Sequence, residues 1–419
     1  MTTSPGKYLR SVFHLGSGEA LGRVANVAIV MLLGHRFGVV VLGIYSLGTT
    51  LSAYMQPAID FGLKHIGARL VAQFPASSAD IVRRVQRRRA VMATVALPLI
   101  AIYAGFTSLP LDMKVFLFVF AGIAALYAAS LEWVAWGKEQ LWLVGWSKAV
   151  VPISILMFLA AGSLHGQSIF RWAIAGNAAG YILQSILFWI WWRRHRTDEE
   201  GTAEDRDAIR DALAWRRTSV MGLAWFSNLA FVSVDMLMPG LLANAEQVGL
   251  YSAAYRVLNQ VLVTYYLFVN ALYPRFAQHS LKQRLAMLRV HILLPLFGVG
   301  VAVAALVTVF RRPVLTVLFG QGFVASAPLL LVLACAIPVD FLVSYLSSAY
   351  IAWSMERHML KCALLAAGTD VVLNLYGIPR YGAMAAAVNT VISYLVYLAA
   401  LSFVARRVSR AGDTLPQTA

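Results

Sequence analysis

The feature that most restricts the fold is a series of twelve apolar segments, each close to the roughly 20 residues that cross a bilayer as a helix. They are approximately residues 11–34, 42–67, 91–109, 114–135, 141–163, 170–192, 217–242, 248–273, 290–310, 326–352, 359–378 and 382–405. Hydrophobic residues make up 60% of the 419 and charged residues only 13%. These are more apolar residues than the core of one soluble domain can bury. Because lipid cannot hydrogen-bond an open backbone, the sequence predicts an all-α integral membrane protein.

The basic residues alternate along the chain with the turns between these segments. Arg and Lys concentrate in residues 73–89, 193–217 and 275–289 and in the C-terminal tail, whereas the intervening turns are short and carry few of them. Cytoplasmic loops of membrane proteins collect such charges, so both termini are predicted to be cytoplasmic. The same rule explains the net charge of +16, and we therefore expect no nucleic-acid partner.

The motifs of common soluble enzymes are missing from the sequence. It contains no GxxxxGK[ST], no HExxH and no GxSxG, and no GxGxxG follows a predicted strand. Its two cysteines offer neither a disulfide framework nor a metal-ligand spacing. The N-terminus lacks a cleavable signal pattern, so the first apolar segment should act as a signal anchor. We expect no catalytic residues, no enzymatic activity, no cofactor and no metal.

A polar stretch divides the chain into two halves of six spans. Residues 197–211 are predicted to be a solvated linker, with an amphipathic helix on the membrane surface as the alternative. The predicted domains are an N-lobe at 1–192, a cytoplasmic linker at 193–215 and a C-lobe at 216–419. Six spans per half make a parallel repeat. Its clearest trace is Gly-x-Tyr-Ser at residues 43–46 and again at 249–252, with Arg69 and Arg275 at matching offsets.

Ionisable side chains inside the spans are candidates for a functional site, because charge is costly in lipid. Glu19 and Arg23 lie four residues apart on the first span and could form an ion pair that only orients the helix, or line a cavity. Asp60 and Lys64 have the same spacing near the end of the second span, where extension to the membrane interface is the simpler interpretation.

The second half contains a further set of polar residues within its spans. Asp235 could bind a proton or cation, or pair with an arginine, and Asn228 lies two turns before it. Arg256 and Asn259 suit a hydrated wall better than lipid contact. Asp370 and Asn374 are four residues apart on span eleven.

Several motifs together resemble the polysaccharide transporter (Wzx-like) family of the multidrug/oligosaccharidyl-lipid/polysaccharide flippase superfamily. They cover nearly the whole chain: Gly-Ile-Tyr-Ser at 43–46, Asp-Phe-Gly-Leu at 60–63, Leu-Phe-Gly at 318–320, Val-Gly-Leu-Tyr-Ser-Ala-Ala-Tyr-Arg at 248–256, Pro-Arg at 274–275 and Ile-Pro-x-Tyr-Gly at 378–382. The resemblance implies two six-helix lobes around a central cavity. It also implies transport of polyprenyl-diphosphate-linked oligosaccharide across the bacterial cytoplasmic membrane by alternating access.

The resemblance also suggests roles for the polar residues. Candidates for the substrate cavity are Arg23, Arg256, Asn259 and Asn228. Candidates for ion coupling or charge balance are Glu19, Asp235 and Asp370, and candidates for a cytoplasmic gate are Arg69 and Arg275. The expected partners are the lipid-linked oligosaccharide, the bilayer and glycosyltransferases or a polymerase of the same pathway, and the protein is expected to be a monomer.

Three other functions stay open at this point. A cation-coupled multidrug exporter would share the architecture but would need an acidic cavity. A polysaccharide polymerase or ligase would be expected to hold its active site in a long outer loop, whereas the longest outer turn here is only residues 311–324. A scaffold within an export assembly is the third alternative.

Overall fold

The computed structural model describes residues 5–165, 168–196, 202–216, 218–219, 222, 235–278, 290–353 and 355–410. Within these ranges every regular element is a helix, and no strand occurs. The chain forms two compact units, Met1–Phe37 with Ile44–Leu229, and Gly38–Gly43 with Ala230–Ala419. The predicted all-α class is confirmed.

The first unit is built from helices α1 to α8. They are α1 (Pro5–Asp60), α2 (Leu63–Gln73), α3 (Ser78–Phe106), α4 (Leu111–Ile123), α5 (Glu132–Gly137), α6 (Leu141–His165), α7 (Ile169–His195) and α8 (Ala203–Ala212), with a 3-10 helix at Ala124–Ala129. The first two predicted spans are joined within α1 by a kink at Gly38, whose φ of 79° is one that glycine adopts readily. Residues 38–43 of α1 belong to the second unit.

The second unit contains a helical segment at residues 235–242 and helices α9 to α14. These are α9 (Ala245–Gln278), α10 (Val290–Phe319), α11 (Ala327–Ala334), α12 (Ala336–Ala352), α13 (Glu356–Tyr381) and α14 (Ala383–Arg410), with a 3-10 helix at Gln321–Ser326. The predicted turn after the seventh span is present, and its Asn244 side chain accepts a hydrogen bond from the Gln247 amide at 2.8 Å. This bond satisfies one of the free N–H groups at the start of α9.

Eight of the described helices are long and apolar enough to cross a membrane, or nine if one bent pair forms a single span. The count is lower than twelve partly because α1 holds two predicted spans and most of span seven lies outside the described residues. The bent pair is the predicted span ten, broken by 45° at Cys335. The protein is a multi-pass membrane protein.

The segment predicted as a linker contains an amphipathic helix packed on the first unit. Helix α8 begins with a capping box, in which Thr202 and Asp205 satisfy each other's backbone N–H groups. Ile209 of α8 and Leu213, which follows its last turn, are fully buried in a cluster that includes residues of α2, α3 and α7. Burial of this face attaches α8 to the helices that precede it.

Candidate functional site

A buried polar cluster joins helices α13 and α14 of the second unit. The Asp370 carboxylate accepts hydrogen bonds from the Asn374 amide at 2.8 Å and from the Ser393 hydroxyl at 3.0 Å. The Asn389 amide donates in turn to Asn374 Oδ1 at 3.0 Å. All four side chains are buried. Buried polar groups in apolar helices carry a desolvation cost, which these mutual hydrogen bonds offset.

Asp235 extends this cluster to a third helical segment. Its buried carboxyl group hydrogen-bonds to Asp370 and to Thr390. Because a carboxyl group can donate a hydrogen bond only when it is protonated, a hydrogen bond between these two carboxyl groups needs a proton on one of them. The Thr390 hydroxyl also lies 3.1 Å from the Tyr251 hydroxyl, which connects the Gly-x-Tyr-Ser motif to the acids.

The structure therefore brings together two of the three residues predicted for ion coupling, Asp235 and Asp370. Sequence reasoning noted Asn374 but missed Asn389, Thr390 and Ser393. The signal that could have found them is their spacing, since Asn389 and Ser393 are four residues apart in an otherwise apolar span and so share a helix face.

The third coupling candidate, Glu19, lies in the first unit and pairs with Arg23. The Arg23 guanidinium donates to Glu19 Oε1 at 2.7 Å, and the side chains are 44% and 52% exposed respectively. Asn26, one turn further along α1, is also exposed. These three residues occupy one face of an apolar helix long enough to cross the membrane, and that face is not covered by the rest of the first unit.

The remaining predicted site residues are distributed over other helices. Arg256 is half-buried on α9 and interacts with neighbouring groups, and Asn259 is exposed one turn later. Arg69 is exposed on α2. Asn228 and the side chain of Arg275 lie outside the described residues. The roles assigned to all these residues stay predictions.

The first unit contains an ion pair that sequence reasoning missed. Arg89 of α3 is fully buried, with its Nε atom 2.9 Å from Asp60 Oδ1, an ion-pair distance at an angle poor for hydrogen bonding. The same guanidinium donates to the Ser130 carbonyl at 2.6 Å and to the Tyr127 carbonyl at 3.0 Å. Arg89 thereby connects the end of α1 to the segment before α5.

A second buried acid, Glu132, lies between two lysines. Its Oε1 atom is 3.2 Å from Lys64 Nζ and 2.8 Å from Lys148 Nζ. The prediction that Asp60 and Lys64 extend to the membrane interface was wrong, because each is bound to an opposite charge on another helix. Their partners are distant in sequence, so no local spacing could have revealed them.

No group of three or more His, Cys, Asp or Glu side chains with the geometry of a metal site occurs among the residues that the structure describes. The cluster in the second unit places two carboxyl groups among neutral amide and hydroxyl partners. Carboxylate, amide and hydroxyl oxygens are the ligands that hard cations prefer.

Comparison with known proteins relates this arrangement to one family and one fold. Residues 8–280 match the family model described as polysaccharide biosynthesis protein. A comparison with curated proteins gave no match. A solved inward-facing multidrug resistance transporter of the MATE family, in the MOP superfamily, is similar with a TM-score of 0.69 and 13% identity, over 97% of this chain and 100% of that chain.

Two further solved structures share the fold. The lipid II flippase MurJ in an inward closed conformation has a TM-score of 0.63 and 12% identity, over 95% of this chain and 87% of that chain. The MATE transporter VcmN of Vibrio cholerae has a TM-score of 0.58 and 14% identity, over 96% and 97%. At these identities the likeness shows a common fold. The family model confirms the resemblance to a polysaccharide family inferred from the motifs, and the solved structures show the shared fold.

Proposed function

The chain belongs to the polysaccharide biosynthesis protein family, and from this premise we propose that it is a flippase for polyprenyl-diphosphate-linked oligosaccharide. It moves the lipid-linked glycan from the cytoplasmic to the outer leaflet of the bacterial cytoplasmic membrane by alternating access. In this proposal both termini are cytoplasmic, which agrees with the basic turns of the sequence. The solved lipid II flippase with this fold handles a lipid-linked substrate, which supports the substrate class proposed here.

The observation that carries the proposal is the exposed Glu19–Arg23 pair on α1. The two side chains are about half exposed within a membrane-length apolar helix. Charged groups facing hydrocarbon are costly, so such a pair is expected to face water or a polar ligand. A hydrated surface at membrane depth is what a sugar head group needs in order to cross while its polyprenyl tail stays in lipid.

Arginine is suited to the anionic part of this substrate. A guanidinium binds phosphate oxygens through two parallel hydrogen bonds and keeps its charge when partly desolvated. We assign diphosphate binding to Arg23 and Arg256, glycan contacts to Asn259 and Asn228, and gating to Arg69 and Arg275. Glu19 balances the charge of Arg23 when no substrate is bound, and the diphosphate replaces it on binding.

The energy for transport is proposed to enter through Asp235 and Asp370. Because their contact requires a proton or a cation, its loss would leave two buried carboxylates repelling each other. The helices that carry the two acids therefore favour one packing with the proton or cation bound and another without it. Coupling of transport to an ion gradient needs such a difference between the two states. Glycosyltransferases of the same pathway would supply the substrate, a polymerase would consume it, and the flippase would act as a monomer.

Cation-coupled multidrug export is the second candidate, favoured by the same buried acids and by the MATE-like fold. The two functions differ in substrate charge. A flippase should lose activity when Arg23 is removed, whereas an exporter of cationic drugs should not need a cation in its cavity. Arg23 therefore discriminates between them.

The test is transport in proteoliposomes that contain a polyprenyl-diphosphate-linked oligosaccharide, measured by exposure of the glycan to a membrane-impermeant glycosidase. We expect Arg23→Ala to reduce transport by about 100-fold and Arg23→Lys by less, since lysine keeps the charge but loses the bidentate geometry. Arg83→Ala is the matched control, because Arg83 is exposed at the start of α3 outside the predicted spans. Full transport by Arg23→Ala would refute the proposal.

A further inference from the structure

A cleft of about 470 Å³ opens at the N-terminal end of α3 in the first unit. Three arginines of α3 line it, Arg84, Arg87 and Arg88, together with Arg210 of α8. Its apolar wall includes Phe61 and Trp215, whose rings stack with their centroids 5.5 Å apart. The positive-inside rule places this end of α3 at the cytoplasmic membrane surface.

Within the described part of the chain, two of the four arginines that line the cleft are paired with acids. Arg84 lies 2.7 Å from Asp80, and Arg210 lies 3.7 Å from the exposed Asp207. Neither Arg87 nor Arg88 has a carboxylate within ion-pair distance among the residues described. The cleft therefore has an excess of positive charge at a surface where desolvation by the apolar wall strengthens attraction for an anion.

Arg88 is held in place by the end of α8. Its guanidinium donates to the carbonyl oxygen of Leu213, the residue that caps the C-terminus of α8. A helix C-terminus carries partial negative charge and attracts a cation, but a carbonyl does not neutralise Arg88, which no carboxylate of the described residues pairs with. The other donors of that guanidinium can serve a ligand at the same time.

The arginines continue directly into a lipid-facing stripe of α3. Val91 lines the cleft, and Val95, Leu99 and Ile102 follow it at helical spacing, each of the four more than half exposed. Large exposed apolar side chains in this order belong against acyl chains. A ligand that occupies both features must be an amphiphile with an anionic head, not a soluble anion.

We propose that this cleft binds the headgroup phosphate of an anionic phospholipid of the cytoplasmic leaflet. The acyl chains lie along the exposed stripe of α3, and the phosphate bridges Arg87 and Arg88 of α3 to Arg210 of α8. The lipid therefore fastens α8 to α3 within the first unit. The proposal does not depend on the transported substrate.

The experiment measures thermal unfolding of the full chain in a neutral detergent with added phosphatidylglycerol, phosphatidylcholine or inorganic phosphate. A ligand that binds only the folded state raises the melting temperature by mass action. We expect phosphatidylglycerol to raise it by about 4 °C at saturation, and the two other additives by about 1 °C or less. Native mass spectrometry of the same samples should show retained phosphatidylglycerol.

The variants are Arg87→Gln and the double change Arg87→Gln/Arg210→Gln, both at exposed positions where folding should survive. The double variant should lose at least half of the phosphatidylglycerol effect. Arg83→Gln removes the same charge from the same helix outside the cleft and should keep all of it. The proposal would be overturned if phosphatidylglycerol raised the melting temperature of the double variant as much as that of the unmodified chain. It would also be overturned if phosphatidylcholine or inorganic phosphate stabilised the unmodified chain equally, or if phosphatidylglycerol did not stabilise it at all.

Discussion

Gly43 and Gly249, the two glycines that the sequence repeat equates, are in direct backbone contact. A Cβ atom at Gly43 would lie 2.6 Å from the amide nitrogen of Gly249 and 2.7 Å from its Cα atom. A Cβ at Gly249 would in turn collide with the carbonyl oxygen of Val39. Glycine fits at both positions because two helix backbones meet there with no room for a side chain, as small residues allow in membrane helices.

Gly249→Ala should therefore destabilise the protein, although alanine is the better helix former. The added methyl group forces backbones apart, and overpacking of this kind costs about 1–3 kcal/mol. The melting temperature in detergent, followed by intrinsic fluorescence, measures the effect.

Gly368→Ala provides the matched control, since nothing lies within 4 Å of a Cβ at that exposed position of α13. There the substitution should be neutral or stabilising by up to about 1 kcal/mol, the ordinary gain of alanine over glycine in a helix. Equal melting temperatures for the two variants would contradict a close contact at Gly249.

Asp370→Asn should uncouple transport from the ion gradient. Asparagine retains the shape but cannot be deprotonated, and its single amide oxygen can accept only one of the two bonds now donated by Asn374 and Ser393. In proteoliposomes with an imposed proton or sodium gradient, stimulation of transport should fall about tenfold or more. Transport without a gradient should be less affected.

The control for this experiment is Asp340→Asn on α12. Asp340 is also a buried acid of the second unit, but its carboxylate accepts a bond from Ser344 at 3.2 Å, outside the cluster. The imposed ion gradient should still stimulate transport by the Asp340→Asn variant. If both variants or neither lost stimulation, Asp370 would not be the coupling group.

Arg89→Ala should strongly destabilise the first unit. The change removes an ion pair with Asp60 and two bonds to backbone carbonyls, and it leaves the Asp60 carboxylate buried without its partner. Breaking a buried pair on one side costs about 3–5 kcal/mol. Chemical unfolding in detergent measures it, and Arg84→Ala, which breaks a partly exposed pair with Asp80, should cost about 1 kcal/mol or less.

Glu132→Gln should destabilise the protein less than Arg89→Ala. The substitution removes the charge shared by Lys64 and Lys148, but Lys148 is 42% exposed and can be hydrated. Adding Lys64→Met to Glu132→Gln should recover part of the loss, because it removes the more buried of the two unpaired ammonium groups. The melting temperatures of the single and double variants measure the energetic coupling between Glu132 and Lys64. A double variant less stable than Glu132→Gln would contradict this account.

The sequence by itself determined the membrane class, the helical fold and the duplicated Gly-x-Tyr-Ser motif. These follow from local properties, since an apolar stretch of about 20 residues has to form a helix in lipid whatever surrounds it. It also identified Asp235 and Asp370, because a charge in an apolar span stands out without any knowledge of its neighbours.

Only the tertiary structure decided which of these groups meet. The contact of Asp235 with Asp370, the pairing of Arg89 with Asp60 and the sharing of Glu132 by two lysines each join residues far apart in sequence. Helical periodicity assigns a residue to a face of its own helix but contains no information about which helix packs against that face. The same limit applied to α8, whose composition suggested a solvated linker until packing buried Ile209 and Leu213.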